Sequence, residues 1–132
     1  MPEYLTKTLG VEPDGTAPDG SEARLLCRLT GGSMAHFRLP AGQVSRTVFH
    51  RTVEEIWYFL EGHGEMWRHQ EGAPDEPVLV GVGTCLTIPL GVRFQFRADP
   101  DGPLAAVAVT MPPWPGRDEA VTCPDGYWPC TL

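Results

Sequence analysis

The stretch of this 132-residue chain that could do chemistry runs from Gly42 to Gly62, with His50 at its centre and Glu54 and Glu55 close behind. An imidazole titrates near neutral pH, and a carboxylate beside one raises its pKa and fixes its tautomer. Such a pair can take a proton from a carbon next to a carbonyl, or pass one between two oxygens. The stretch reads as strand, polar turn, strand. His50 ends the first strand and the glutamates open the second. Strand side chains alternate between faces, so one of Glu54 and Glu55 points inward and the other outward. The bland alternative is a buried ion pair with no proton to move.

Other side chains could complete a pocket. Arg46 and Val48 share the parity of His50. Near a barrel mouth, Arg46 could grip a carboxylate or phosphate with two prongs, or simply be a solvated surface arginine. Trp57 shares the parity of Glu55. With Phe37, Phe59, Phe94 and Phe96 it could line an apolar pocket for a ring-shaped substrate, the plain alternative for each being core. His36, His63 and His69 read as surface, interface or turn residues. Cys85 reads as an inert filler on a buried strand.

The elements that must position these groups are short strands. Fifteen Gly and fourteen Pro spread along the chain mean many turns. Nine or ten strands are expected. Tyr4–Val11 reads as an opening edge strand, and residues 12–20 as a loop with two Asp-Gly turns. Residues 23–30 and 33–39 follow, with His36 and Arg38 facing out. Next come 43–50 and 56–60, then Gly62-His63-Gly64 as a tight hairpin signal, then 65–70. Residues 78–80, 84–88 and 92–97 read as strands, with Arg93 and Gln95 facing out. Residues 104–110 are apolar throughout, as in a strand covered on both faces. The Pro-rich tail 111–132, with a short helical turn at 117–121, is expected to lie back over the barrel or over a second subunit. The pattern predicts one all-β domain, a sandwich or barrel with its core at about residues 23–110.

The totals exclude several roles. A net charge of −7 argues against a nucleic-acid partner, which would want a basic face. No 18-residue apolar run offers a membrane span, and the N-terminus lacks a signal-peptide pattern, so the expected location is cytoplasmic. The four cysteines match no zinc spacing and are expected as free thiols, with a Cys123–Cys130 bridge as the alternative.

The chain resembles the cupin family of double-stranded β-helix (jelly-roll) proteins. The first cupin motif runs Gly, five residues, His-x-His, three or four residues, Glu, six residues, Gly. Here Gly42 opens it, His50 takes the second histidine place, Glu55 the glutamate place, and Gly62 closes it. That spacing favours Glu55 over Glu54 as the inward carboxylate. The second motif runs Gly, five residues, Pro-x-Gly, two residues, His. Gly83 and Pro89-Leu90-Gly91 match it, and Phe94 stands at the histidine place. Cupins commonly bind a divalent metal through those three histidines and the glutamate. Here Val48 and Phe94 replace two of them, leaving His50 and Glu55, and two protein ligands make a poor site.

The resemblance therefore implies the barrel and its pocket but no resident metal. The functional expectation is metal-independent proton transfer (isomerisation, epimerisation, cyclisation or elimination) on a small polar or aromatic metabolite. His50 and Glu55 would do the chemistry, with Arg46, Val48, Trp57, Phe94, Phe37 and Phe96 around the substrate. A non-catalytic ligand-binding cupin is the first alternative. The second is a weak iron, manganese, zinc or nickel site on His50 and Glu55. Cupins often pair through sheet edges and termini, and the apolar tail here fits that pattern, so a homodimer is expected.

Overall fold

The alternating pattern folds into eleven strands, described by a computed structural model over residues 3–116 and 118–132. They are β1 (Gly15–Thr16), β2 (Glu22–Arg28), β3 (Ser33–Leu39), β4 (Thr47–His50), β5 (Glu54–Glu61) and β6 (His63–His69). After them come β7 (Val78–Gly81), β8 (Cys85–Ile88), β9 (Arg93–Ala98), β10 (Leu104–Met111) and β11 (Ala120–Cys123). Two sheets result, one in the order β1-β2-β3-β10-β5-β8 and the other β11-β4-β9-β6-β7. Every pairing is antiparallel. Among the described residues no helix is long and apolar enough to cross a membrane.

The core lies between the facing sheets. In β5, Glu55, Trp57 and Phe59 are buried while Glu54, Ile56, Tyr58 and Leu60 are exposed, the period-2 pattern of a strand with one inner face. Trp57 meets Phe94 and Phe96 of β9, with ring centroids 5.8 Å and 5.2 Å apart, and Phe59 packs against it at 6.0 Å. Leu39, Met66, Ile88 and Leu104 fill in around them. Each such side chain contributes about 1.5–3 kcal/mol by leaving water.

Several expected features took another form. Gly62 makes no hairpin: β5 and β6 lie in different sheets, so Gly62 is the corner where the chain changes sheet. It has φ +77°, and a Cβ there would sit 1.9 Å from the Pro103 carbonyl oxygen. Residues 4–11 form no strand. Their backbone is instead tied to β2, where the Arg24 guanidinium donates to the carbonyls of Gly10 (2.9 Å) and Val11 (2.8 Å). His36, opposite Arg24 in the register, does lie on the outer face but is buried there. Burial, helped by the Arg24 charge, lowers its pKa.

Gln95 also lies on an outer face and is buried, because the tail docks onto it. Its amide donates to the carbonyls of Ser45 and Trp128, both at 2.9 Å, and its oxygen accepts from the N–H groups of Tyr127 (2.9 Å) and Trp128 (3.0 Å). All four of its hydrogen-bonding positions are filled. The tail thus returns over its own barrel, and β11 pairs with β4. The helical turn expected at 117–121 begins at Arg117, outside the described residues; Ala120 and Val121 are strand. Cys85 is exposed on the outer face of β8 rather than buried, and all four cysteines are free thiols.

Replacing Gly62 by Ala forces a Cβ into a backbone carbonyl at a left-handed φ. The expected cost is roughly 2–5 kcal/mol. Thermal unfolding monitored by circular dichroism checks it, with the melting temperature lowered by roughly 10 °C.

Candidate functional site

His50 and Glu55 meet where β4 turns into β5. His50 closes β4 on the inner face and is 4 % exposed; Glu55 is the second residue of β5 and is 3 % exposed. Glu54 points to solvent. The carboxylate satisfies itself locally: the Trp57 indole N–H donates to Oε1 at 3.0 Å and the Thr110 hydroxyl donates to Oε2 at 2.6 Å. His50 Nδ1 stands 3.8 Å from Glu55 Oε1, beyond hydrogen-bond reach, and has no hydrogen-bond partner although it is buried. The ring is fixed by edge contacts with Phe94 and Trp114, each at 5.3 Å between centroids.

These groups open on a cavity of about 510 Å³. Val48, Phe37, Trp57 and Phe94 line it with His50 and Glu55. Phe37 and Trp57 stack at 5.4 Å, giving the wall a broad aromatic surface. Arg46 does not line the cavity: its guanidinium donates to the Pro18 carbonyl at 3.3 Å. The strand is short, and its regular inward alternation starts only at Thr47. Phe96 does not line it either; it packs as core against Trp57, two residues along β9 from Phe94.

Three groups came from segments that sequence reasoning assigned to loop or tail. Asp19 belongs to the second Asp-Gly pair and reads as a turn residue, yet it is 5 % exposed and lines the cavity. Its Oδ1 accepts from the Ser21 N–H at 2.9 Å and the Ser21 hydroxyl at 2.7 Å. Burial pushes its pKa up against those bonds, and the nearby Glu55 pushes the same way. Trp114 comes from the Pro-rich segment and covers His50. Glu119 lies behind the site. Its carboxylate accepts from the Thr52 hydroxyl, from the Thr52 N–H at 2.7 Å and from the Val53 N–H at 3.1 Å. Burial pushes Glu119 up, but these bonds outweigh it and the net shift is downward. Glu119 thereby clamps the turn between His50 and Glu55. Only the pairing of an acid with an apolar run in the tail could have signalled it.

The donor set does not suit a divalent metal. Val48 and Phe94 are register partners across β4 and β9, so hydrocarbon faces hydrocarbon at the two places where cupin histidines would stand. Among the described residues no three His, Cys, Asp or Glu side chains converge to hold an ion.

Two stability changes of opposite sign follow. Glu119→Ala strands buried donors at the turn and is expected to cost roughly 2–3 kcal/mol at neutral pH. The loss shrinks in acid, since a carboxyl held below its ordinary pKa stabilises the fold only while ionised. Asp19→Asn keeps the acceptor for Ser21 and removes a charge whose burial is unfavourable. A carboxyl pushed above its ordinary value weakens the fold as pH climbs past 3.8. This variant is therefore expected to melt higher than the parent near neutrality and to converge with it in acid. Melting temperature against pH for both variants reads out both effects.

The sequence pattern of the Cupin domain family matches residues 35–110, more than half of the chain. No curated protein matches in sequence. Among solved structures, ectoine synthase from P. lautus superposes with a TM-score of 0.69 at 20 % identity, over 91 % of this chain and 90 % of that one. The Streptomyces nucleoside dehydratase Pac13 superposes at 0.67 and 13 % identity, over 90 % and 92 %. An uncharacterised Klebsiella pneumoniae protein with a double-stranded β-helix domain gives 0.67 at 13 % identity, over 93 % and 100 %. With both glycine-bounded motifs in place on a two-sheet β-barrel, the chain belongs to the cupin family.

Proposed function

We propose that this protein is a small-molecule enzyme that moves a proton without a metal ion, with His50 as the acid–base group and Glu55 as its orienter. One observation carries the reading: a buried imidazole nitrogen has no partner, and it lies beside a buried carboxylate on the wall of a cavity lined in part by aromatic rings. A buried polar atom left unpaired costs about 1–3 kcal/mol. Such a cost fits a group whose partner is the substrate or appears only during reaction. Catalytic hydrogen bonds are often long in the free enzyme and tighten in the complex.

In the proposed step, His50 takes a proton from a carbon or a hydroxyl of the bound molecule. The imidazolium so formed is held by Glu55 once the ring shifts by less than about 1 Å to bring Nδ1 within hydrogen-bond distance. The proton then returns to another atom of the same molecule, or to a leaving oxygen. Isomerisation or cyclisation follows in the first case and elimination of water in the second. Glu55 is itself fixed by Trp57 and Thr110, so it sets the imidazole orientation without swinging. The nucleoside dehydratase and ectoine synthase among the structural relatives are small-molecule catalysts on this fold; at their low identity they lend the fold only.

The test is a metabolite mixture incubated with the protein in D₂O and read by mass spectrometry. The expected result is deuterium gain or loss of water in one compound with the parent protein and none with His50→Ala. Glu55→Gln is expected to lower the rate by roughly 10²–10⁴-fold, the usual worth of a positioned acid–base system. Treatment with EDTA is expected to leave the rate unchanged. Turnover that survives His50→Ala in a folded variant overturns the assignment. A compound that binds and is never altered assigns the cavity to ligand storage or sensing.

A further inference from the structure

The cavity segregates charge. Two buried carboxyls, Asp19 and Glu55, stand inside against a single imidazole. The basic side chains along its lining, Lys7 and Arg28, are exposed at the mouth. Four aromatic side chains share the remaining lining with aliphatic ones: Phe37 stacks on Trp57 at 5.4 Å, Phe94 stands beside them, and Trp114 packs edge-on against His50. Aromatic faces carry negative quadrupoles that attract cations, an effect that grows when water is removed. Carboxylates in the same enclosure act in the same direction.

Resting on the reading of this cavity as the substrate site, we propose that its ligand carries a cationic nitrogen, an ammonium or amidinium, next to a planar or compact apolar body. Asp19 Oδ1 is occupied by both bonds from Ser21, which leaves Oδ2 for the ligand. An anionic head in this interior would meet the two buried carboxyls, while the basic side chains of the lining are exposed. Burial that disfavours the Asp19 charge is relieved when a cation arrives beside it.

The experiment is isothermal titration calorimetry of the full chain at neutral pH with three ligands of the same ring: benzylamine, benzyl alcohol and benzoate. Benzylamine is expected to bind about tenfold tighter than benzyl alcohol, a margin in the range of a desolvated cation–π contact. Benzoate is expected to bind weakest. Asp19→Asn and Glu55→Gln are each expected to lower benzylamine affinity several-fold, with benzyl alcohol little changed. Equal affinities, a preference for benzoate, or no binding by any of the three up to about 10 mM overturns the proposal, since ligands of eight heavy atoms reach that range in a suitable pocket. The readout is binding alone. His50-dependent proton exchange together with a benzoate preference would sink the ligand class and leave the proton-transfer reading standing. An amine preference with no such exchange would do the reverse.

Discussion

Burying a carboxylate beside an imidazole in a hydrocarbon barrel is the constraint on which the site depends. An ionised group taken from water without partners is costly enough to unfold a domain of this size. Glu55 escapes that cost through two donors, and both come from strand register. Trp57 is two residues along β5 on the same face, and Thr110 is the β10 residue directly opposite. A slip of one residue would turn Glu54 inward and replace these donors with a mismatched set. The same register that packs the Trp57 ring between Phe59, Phe94 and Phe96 therefore aims its N–H at the carboxylate. Core packing and site chemistry share one side chain.

What the chain disclosed by itself follows from that sharing. Period-2 alternation is strong in β5 and β9, so the inward placement of Glu55, Trp57 and Phe94 was legible from parity and glycine spacing. Replacement of two ligand positions by Val48 and Phe94 was legible for the same reason. Arg46 and Phe96 misled because parity says which face a residue takes and not how deep along the barrel it sits. Arg46 precedes the regular part of β4, and Phe96 lies beyond the cavity floor. His36 and Gln95 lie on outer faces as parity expects, but both are buried there, His36 beside Arg24, its register partner on β2, and Gln95 under the tail. Local pattern carries no information about coverage by segments dozens of residues away.

Asp19, Trp114 and Glu119 were missed for that reason. Each lies in a segment rich in Pro, Gly and Asp, whose composition argues turn and loop. Their roles appear only when the chain closes on itself. The loop before β2 presents Asp19 to the cavity, the Pro-rich stretch after β10 lays Trp114 over His50, and the residue before β11 ties down the β4–β5 turn. Regular strands thus build the walls, while irregular segments supply the lid, one acid and the clamp. Asp19 also shows the tension such sites carry. Its charge is disfavoured by burial, so the ligand contact proposed for it would come at a cost in stability.

The substitution of hydrocarbon for two ligand positions reaches beyond metal binding. A resident cation would lower the energy of negative charge developing on a bound oxygen. The side chains that face this cavity offer the contrary field: two carboxyls, aromatic faces, and basic groups held at the mouth. Electrostatic stabilisation is commonly the largest single contribution to catalysis, and it acts on whichever sign of charge the reaction develops. This interior favours steps in which positive charge builds on the substrate or on His50, with Glu55 already aligned to receive it. Proton transfer to the imidazole is such a step, and a cationic ligand is such a substrate. The proposed ligand class follows from the sign of that interior field, which Asp19 and Glu55 set and which Val48 and Phe94, carrying no charge, leave uncompensated.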